Sequence, residues 1–173
     1  MESKLINSLL SRKDIILDKW IKSILDGYQF EGARFFTEND NPFHNPVGTK
    51  TKSESELILS QILGDMDLAI LEKSLEKIIK IRSIQEFSAS EAVSFINLLK
   101  QVIDDEINSE EFKDIPNSDI LNVFARIDKV ILMAFDIYMY NRERISQIKI
   151  NEIKKKYSFV NMDRVPKSKN GKE

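Results

Sequence analysis

The apolar positions along the chain fall at helical spacing again and again, with short polar breaks between them. Leu5, Ile6, Leu9 and Leu10 make a first short stripe, and Ile16, Leu17, Trp20, Ile21, Ile24 and Leu25 a second. Leu57, Ile58, Ile62 and Leu63 make a third. Leu68, Leu71, Leu75, Ile78 and Ile79 follow, and then Ala92, Phe95, Ile96, Leu99, Val102 and Ile103. Recurrence at three and four residues marks one buried face of a helix. The breaks carry start and stop chemistry. Ser11 stands three before Asp14, a capping-box spacing, and Ser88 stands three before Glu91 in the clearest such box of the chain. Asp67 is placed to cap the helix after Gly64, and Gly27 and Gly64 supply stops. Residues 28–50 hold Gly32, Pro42, Pro46 and Gly48, which predicts an irregular segment packed by Phe30, Phe35, Phe36 and Phe43, with the next helix running from about residue 53 to 63.

From about residue 118 to 157 there is neither Gly nor Pro, so one helix of unusual length is expected. Its first half, 120–140, is apolar nearly all round, with Val130 to Phe135 apolar at six consecutive positions. Its second half is polar and rich in Lys and Arg. The first half is expected in a core, and residues 142–157 are expected to project from it. A helix packed on one side only would leave part of 130–135 in water, which predicts a two-fold pair of these helices. Ile127, Ile131, Ala134, Tyr138, Asn141 and Ile145 recur at four and three residues and form the expected dimer seam. About six helices and no strand make the fold class all-α. Pattern alone leaves open a globin-like packing of steeply crossing helices or an irregular bundle.

With 173 residues, 42% of them hydrophobic, the chain suits one domain with extensions. No apolar run approaches the roughly 18 residues that suggest a membrane span, and no secretory signal is visible, so a cytoplasmic location is expected. Charge is uneven. Residues 142–173 hold ten Lys and Arg against four Asp and Glu, while residues 1–141 hold sixteen against twenty-four. The basic end lacks a stacking array and the body is acidic, which argues against nucleic acid as partner. Residues 158–173 are expected to form a disordered basic tail.

Catalytic chemistry finds little to use. There is no Cys, and His44 is the only histidine, set between Pro42 and Pro46, where no regular helix fits. A haem pocket needs its histidine on a helix lining the pocket, so no haem and no other cofactor is expected. The carboxylates lack the spacing of a carboxylate–histidine metal site or of an EF-hand, and no Gly-rich phosphate loop is present, so no metal site is expected and the protein is read as no enzyme. Asp136 stands out between Phe135 and Ile137. Two placements compete: burial against Arg82 or Arg34, or a solvated rim shared with Asp128, Leu132 and Glu143. In the first case Arg82, Gln85 and Asp136 would form a polar cluster, structural or ligand-binding.

Three stretches in order resemble a known family. They are Asn45-Pro46-Val47-Gly48, then Ile81-Arg82-Ser83-Ile84-Gln85-Glu86-Phe87-Ser88-Ala89-Ser90-Glu91-Ala92-Val93, then Ala134-Phe135-Asp136-Ile137-Tyr138-Met139 leading through Arg142-Glu143 to Asn151-Glu152. Together they resemble the N-terminal domain of RsbRD-type co-antagonists of the kinase RsbT, the sensory proteins of stressosomes. The resemblance covers residues 5–157. It implies a globin-like sensory domain, generally without haem, that dimerises and signals through its last helix. In those proteins the helix leads to a STAS output domain, for which too little chain follows residue 157. The expectation is therefore a stand-alone, non-enzymatic regulator acting on a separate partner, a kinase or a STAS-type protein. The alternatives are a small-molecule-binding protein with its pocket between the helix at 88–107 and the long helix, or an accessory subunit of an enzyme complex.

Overall fold

A computed structural model of the protein describes residues 4–26, 46–85, 87–108, 112 and 114–162. The described residues form six helices: α1 (Lys4–Ser11), α2 (Lys13–Asp26), α3 (Pro46–Leu63), α4 (Leu68–Ile84), α5 (Ala89–Ile107) and α6 (Asn117–Met162). No strand occurs among the described residues, so the fold is all-α with a long C-terminal helix. Most of the predicted stripe residues are buried, but Leu10, Leu57 and Leu68 at the stripe edges and helix ends are exposed.

The caps explain several boundaries. Asp67 accepts hydrogen bonds from the Ala69 and Ile70 backbone N–H groups at 2.9 and 3.2 Å and opens α4. Ser88 and Glu91 form a full capping box at the start of α5. Two boundaries differ from expectation. Helix α3 starts at Pro46 and not near residue 53, because a proline at the first helical position has its torsion preset and lacks only a donor with no helical acceptor. Ser11 is not an N-cap. Its hydroxyl donates back to the Ser8 carbonyl at 2.7 Å, at the end of α1. Gly64 follows α3, where a side-chain carbon would come within 2.9 Å of the Ser60 carbonyl oxygen. The left-handed residue of that turn is Met66, at φ 57°.

The chain divides into two compact units, Met1–Met139 and Tyr140–Glu173. In the first, α3 packs along α4, α2 lies on α5 and α3, and α1 closes against α2 and α3. Trp20 and Phe95 are the largest fully buried side chains; their rings stack at 6.2 Å, and the indole N–H donates to the Phe95 carbonyl at 2.6 Å. The one buried carboxylate of α5, Glu106, meets Arg12 at 2.5 Å and Lys19 at 2.7 Å, so α2 and the residue before it are tied to α5 by charge as well as packing. In the second unit, side chains 146–158 are exposed throughout. Gly27, Arg34, His44 and the aromatic segment around them lie outside the described residues, as does the expected tail beyond 162; residues 158–162, also expected in that tail, are the last of α6.

Candidate functional site

The sequence offered Arg82, Gln85 and Asp136 as a polar cluster; Arg82 is buried, and Gln85 and Asp136 are exposed. Arg82 is buried in the last turn of α4, where a cation suits the helix dipole. Its guanidinium lies over the Phe95 ring at 4.7 Å and the Phe87 ring at 5.6 Å, and it donates to the Glu91 carbonyl at 3.2 Å. Gln85 is the C-cap of the same helix, where the chain turns away, and is exposed. Asp136 is exposed too, two residues and so about 200° of helix rotation from buried Ala134. Of the two placements weighed for Asp136, the solvated rim is the one observed.

Next to Arg82, the Ser88 hydroxyl and backbone N–H both donate to the Glu91 carboxylate, at 2.7 and 2.8 Å. These two bonds, the hydroxyl's first, hold Glu91 below its ordinary carboxylate range. One residue earlier, the Phe87 carbonyl accepts the Tyr138 hydroxyl. That bond fixes α6 to the α4–α5 turn at the end of the first unit.

Along α6, Val123, Ile127, Val130, Ala134 and Tyr138 are buried in the protomer's own core. The residues of the expected seam thus fall partly on the core side of the helix. Ile127, Ala134 and Tyr138 already have partners inside the protomer, and Ile131, Asn141 and Ile145 are only half-buried. The other side of the helix carries Leu121, Leu132, Phe135 and Met139, which are 66%, 66%, 42% and 49% exposed. Ala125 and Asp128 lie on that side as well. Asp128 is held by Lys100 of α5 at 2.5 Å, and the Lys100 ammonium sits 5.5 Å from the Phe124 ring centre. The intervals 121, 125, 128, 132, 135 and 139 are again four and three, so the seam pattern existed twice in the sequence. Only packing tells which copy faces the core.

A groove of about 710 Å³ opens elsewhere than the pocket expected between α5 and α6. It lies beside the α3–α4 turn, with Ile6, Leu63, Met66 and Val123 as apolar lining and Asp65, Asp119, Asn122, Arg126 and Lys129 as polar groups. Arg126 is fixed there. One terminal nitrogen donates to the Ile62 carbonyl at 3.0 Å and to the Gly64 carbonyl at 2.7 Å, the carbonyls that the end of α3 leaves without helical donors. No apolar periodicity signalled this groove, because a turn and the flank of a helix make it. Among the described residues no group of three or more His, Asp or Glu is placed to hold a metal ion, and no helix is long and apolar enough to cross a membrane.

Unit two carries its own exposed apolar positions, Ile148, Ile150, Ile153 and Tyr157, among Lys149 and the run Lys154 to Lys156. Arg144 lies over the Tyr140 ring at 5.7 Å.

Neither a curated protein nor a solved structure matches the chain. A family model does, described as the RsbT co-antagonist protein rsbRD N-terminal domain, over residues 14–152. The match spans α2 through most of α6 and includes all three of the stretches quoted above. The family is of signalling type and is not a known enzyme family. The chain belongs to the RsbT co-antagonist protein rsbRD N-terminal domain family, a sensory and signalling family of stressosome-type systems.

Proposed function

We propose that this protein is a non-enzymatic regulator that works as a two-fold dimer, pairing through the outward face of α6 and acting on a separate signalling protein through residues 140–162. The observation that carries the reading is the exposure of Leu121, Leu132, Phe135 and Met139 along one side of a helix whose other side is already buried. Large apolar side chains in a row on a water-facing helix are the mark of an interaction surface. A second copy suits it in two ways. The four-and-three spacing matches a partner helix with the same spacing, and Ala125 allows close approach. Asp128, which would come near its own symmetry mate, is already paired with Lys100. The output surface is then the exposed Ile150, Ile153 and Tyr157 among lysines, a pattern that suits an acidic groove on a kinase or a STAS-type partner.

Sedimentation at micromolar concentration tests the pairing. The expected result is about twice the chain mass for the wild type and a folded monomer for the Leu132→Asp, Phe135→Asp variant. A wild-type monomer that persists at tenfold higher concentration removes the dimer. The output surface is tested by binding of the purified neighbouring kinase or STAS protein before and after Ile150→Ser, Ile153→Ser, with loss of binding expected.

A further inference from the structure

We propose that the groove beside the α3–α4 turn binds a small amphoteric molecule, one bearing a carboxylate, an ammonium and an apolar body, of which an α-amino acid with an apolar side chain is the simplest. The inference goes beyond the dimer and its output surface and depends on neither.

The size of the groove, about 710 Å³, lies within the range of small-molecule sites. Its lining has the composition such sites share, an apolar floor with a few polar groups of fixed direction. Half-buried Ile6 and Met66 offer the floor, backed by buried Leu63 and Val123. Arg126 supplies the direction. The Ile62 and Gly64 carbonyls take up one terminal nitrogen, which immobilises the guanidinium plane and leaves Nε and the second terminal nitrogen without a hydrogen-bond partner among the described residues. A guanidinium so held is preorganised for a carboxylate, which it binds through two parallel N–H donors. Lys129, one turn further along α6, adds a second cation on the same wall.

The opposite charge comes from the turn. Asp65 follows directly on Gly64, whose carbonyl Arg126 holds, so the turn that anchors the guanidinium also brings a carboxylate to the lining, where Asp119 of α6 is a second. Asp65 and Lys129 have no ion-pair partner among the described residues, although both line the groove. A simple organic anion would leave Asp65 facing its carboxylate, and a simple amine would leave Arg126 and Lys129 facing its ammonium. A molecule with both charges close together meets all three groups. Its apolar body then covers Ile6 and Met66. Met66 adopts a left-handed backbone at φ 57°, an uncommon conformation for a residue with a side chain, at the position that aims this side chain into the groove.

A matched set of three probes separates the possibilities: L-phenylalanine, 3-phenylpropanoate, which lacks the ammonium, and 2-phenylethylamine, which lacks the carboxylate. Calorimetry and amide chemical-shift mapping are run on the full chain. L-phenylalanine should bind at least about tenfold more tightly than either fragment, with shifts centred on residues 62–66 and 122–129. Asp65→Asn should bring the affinities for L-phenylalanine and 3-phenylpropanoate together, and Lys129→Ala should weaken both. Both residues sit at the surface, so the variants keep the fold, which their unchanged denaturation curves would document. Equal binding of all three probes would reduce the groove to an apolar recess and overturn the proposal. Preference for 3-phenylpropanoate would make it an anion site and overturn it too, as would the absence of heat and shifts for every probe at about 10 mM. The dimer is measured by mass without any ligand, so failure here and failure there are separate results.

Discussion

Between residues 121 and 139 the two sides of α6 are made of the same kinds of residue and live in different surroundings. Val123, Ile127, Val130, Ala134 and Tyr138 face the core and are buried, while Leu121, Leu132, Phe135 and Met139 face water. The hydrophobic effect alone would bury either set. What decides is the rest of the unit: α6 turns to the core the side that carries a hydroxyl in reach of the Phe87 carbonyl and small Ala134 for close packing. The outward side keeps side chains without a branch at Cβ, and two of them, Phe135 and Met139, are of the kind that interfaces favour. A helix with two apolar faces is therefore two statements in one sequence, one about folding and one about association.

The largest expected effect falls on the inward side. Ile127→Ala leaves a cavity in a side of the core that has no slack and should lower the stability of the protomer by roughly 2–4 kcal/mol, read by urea denaturation. The same truncation on the outward side, Leu132→Ala, should act differently. Its effect should appear as a change in dimer dissociation and vanish when stability is measured on dilute monomer, because association adds to apparent stability by mass action. Equal losses for the two variants in dilute solution would erase the distinction between the faces.

Tyr138→Phe sharpens the picture at the end of the buried side. It keeps the ring and removes only the hydroxyl bond to Phe87, for an expected loss of about 0.5–1.5 kcal/mol, and hydrogen exchange of residues 134–138 should accelerate. A smaller change is expected one residue from that carbonyl. Glu91 is held below its ordinary value near 4.5 by Ser88, so its contribution is complete above that pH and is lost as pH falls through the lowered folded value. Ser88→Ala should flatten the acid limb of the stability curve below about pH 5 and return the Glu91 titration toward its ordinary value. Carboxylate NMR reads the shift directly. The smallest effect belongs to Asp136, exposed on the outward side: Asp136→Ala should stay within about 0.5 kcal/mol. A loss several times larger would put Asp136 in the core and the described rotation of α6 in error.

Much of the fold was legible in the spacing of Leu, Ile and Val, because burial leaves a periodic trace. The caps at Asp67 and Ser88 and the length of α6 could be read the same way, from local chemistry that needs no tertiary partner. Pro46 misled because the residue that stops a helix in its middle also begins one. Arg82 was singled out for its charge, and its role lies in stacking on Phe87 and Phe95, which are five and thirteen residues away and met only after α4 and α5 fold back on each other. The groove left no trace, since Leu63, Met66, Val123 and Arg126 come from two segments about sixty residues apart, and neither segment has the groove as its own pattern.

The core also contains its own lamp. Trp20 is the only tryptophan of the chain, fully buried, its indole N–H held by the Phe95 carbonyl and its ring lying flat against Phe95. All indole emission therefore originates at the contact between α2 and α5, a short step through Phe95 from the guanidinium of Arg82. Light from that one ring, excited at the red edge where the four tyrosines do not absorb and expected to be blue-shifted while the contact holds, gives every variant named above a built-in optical signal, with no label to attach and no second indole to subtract.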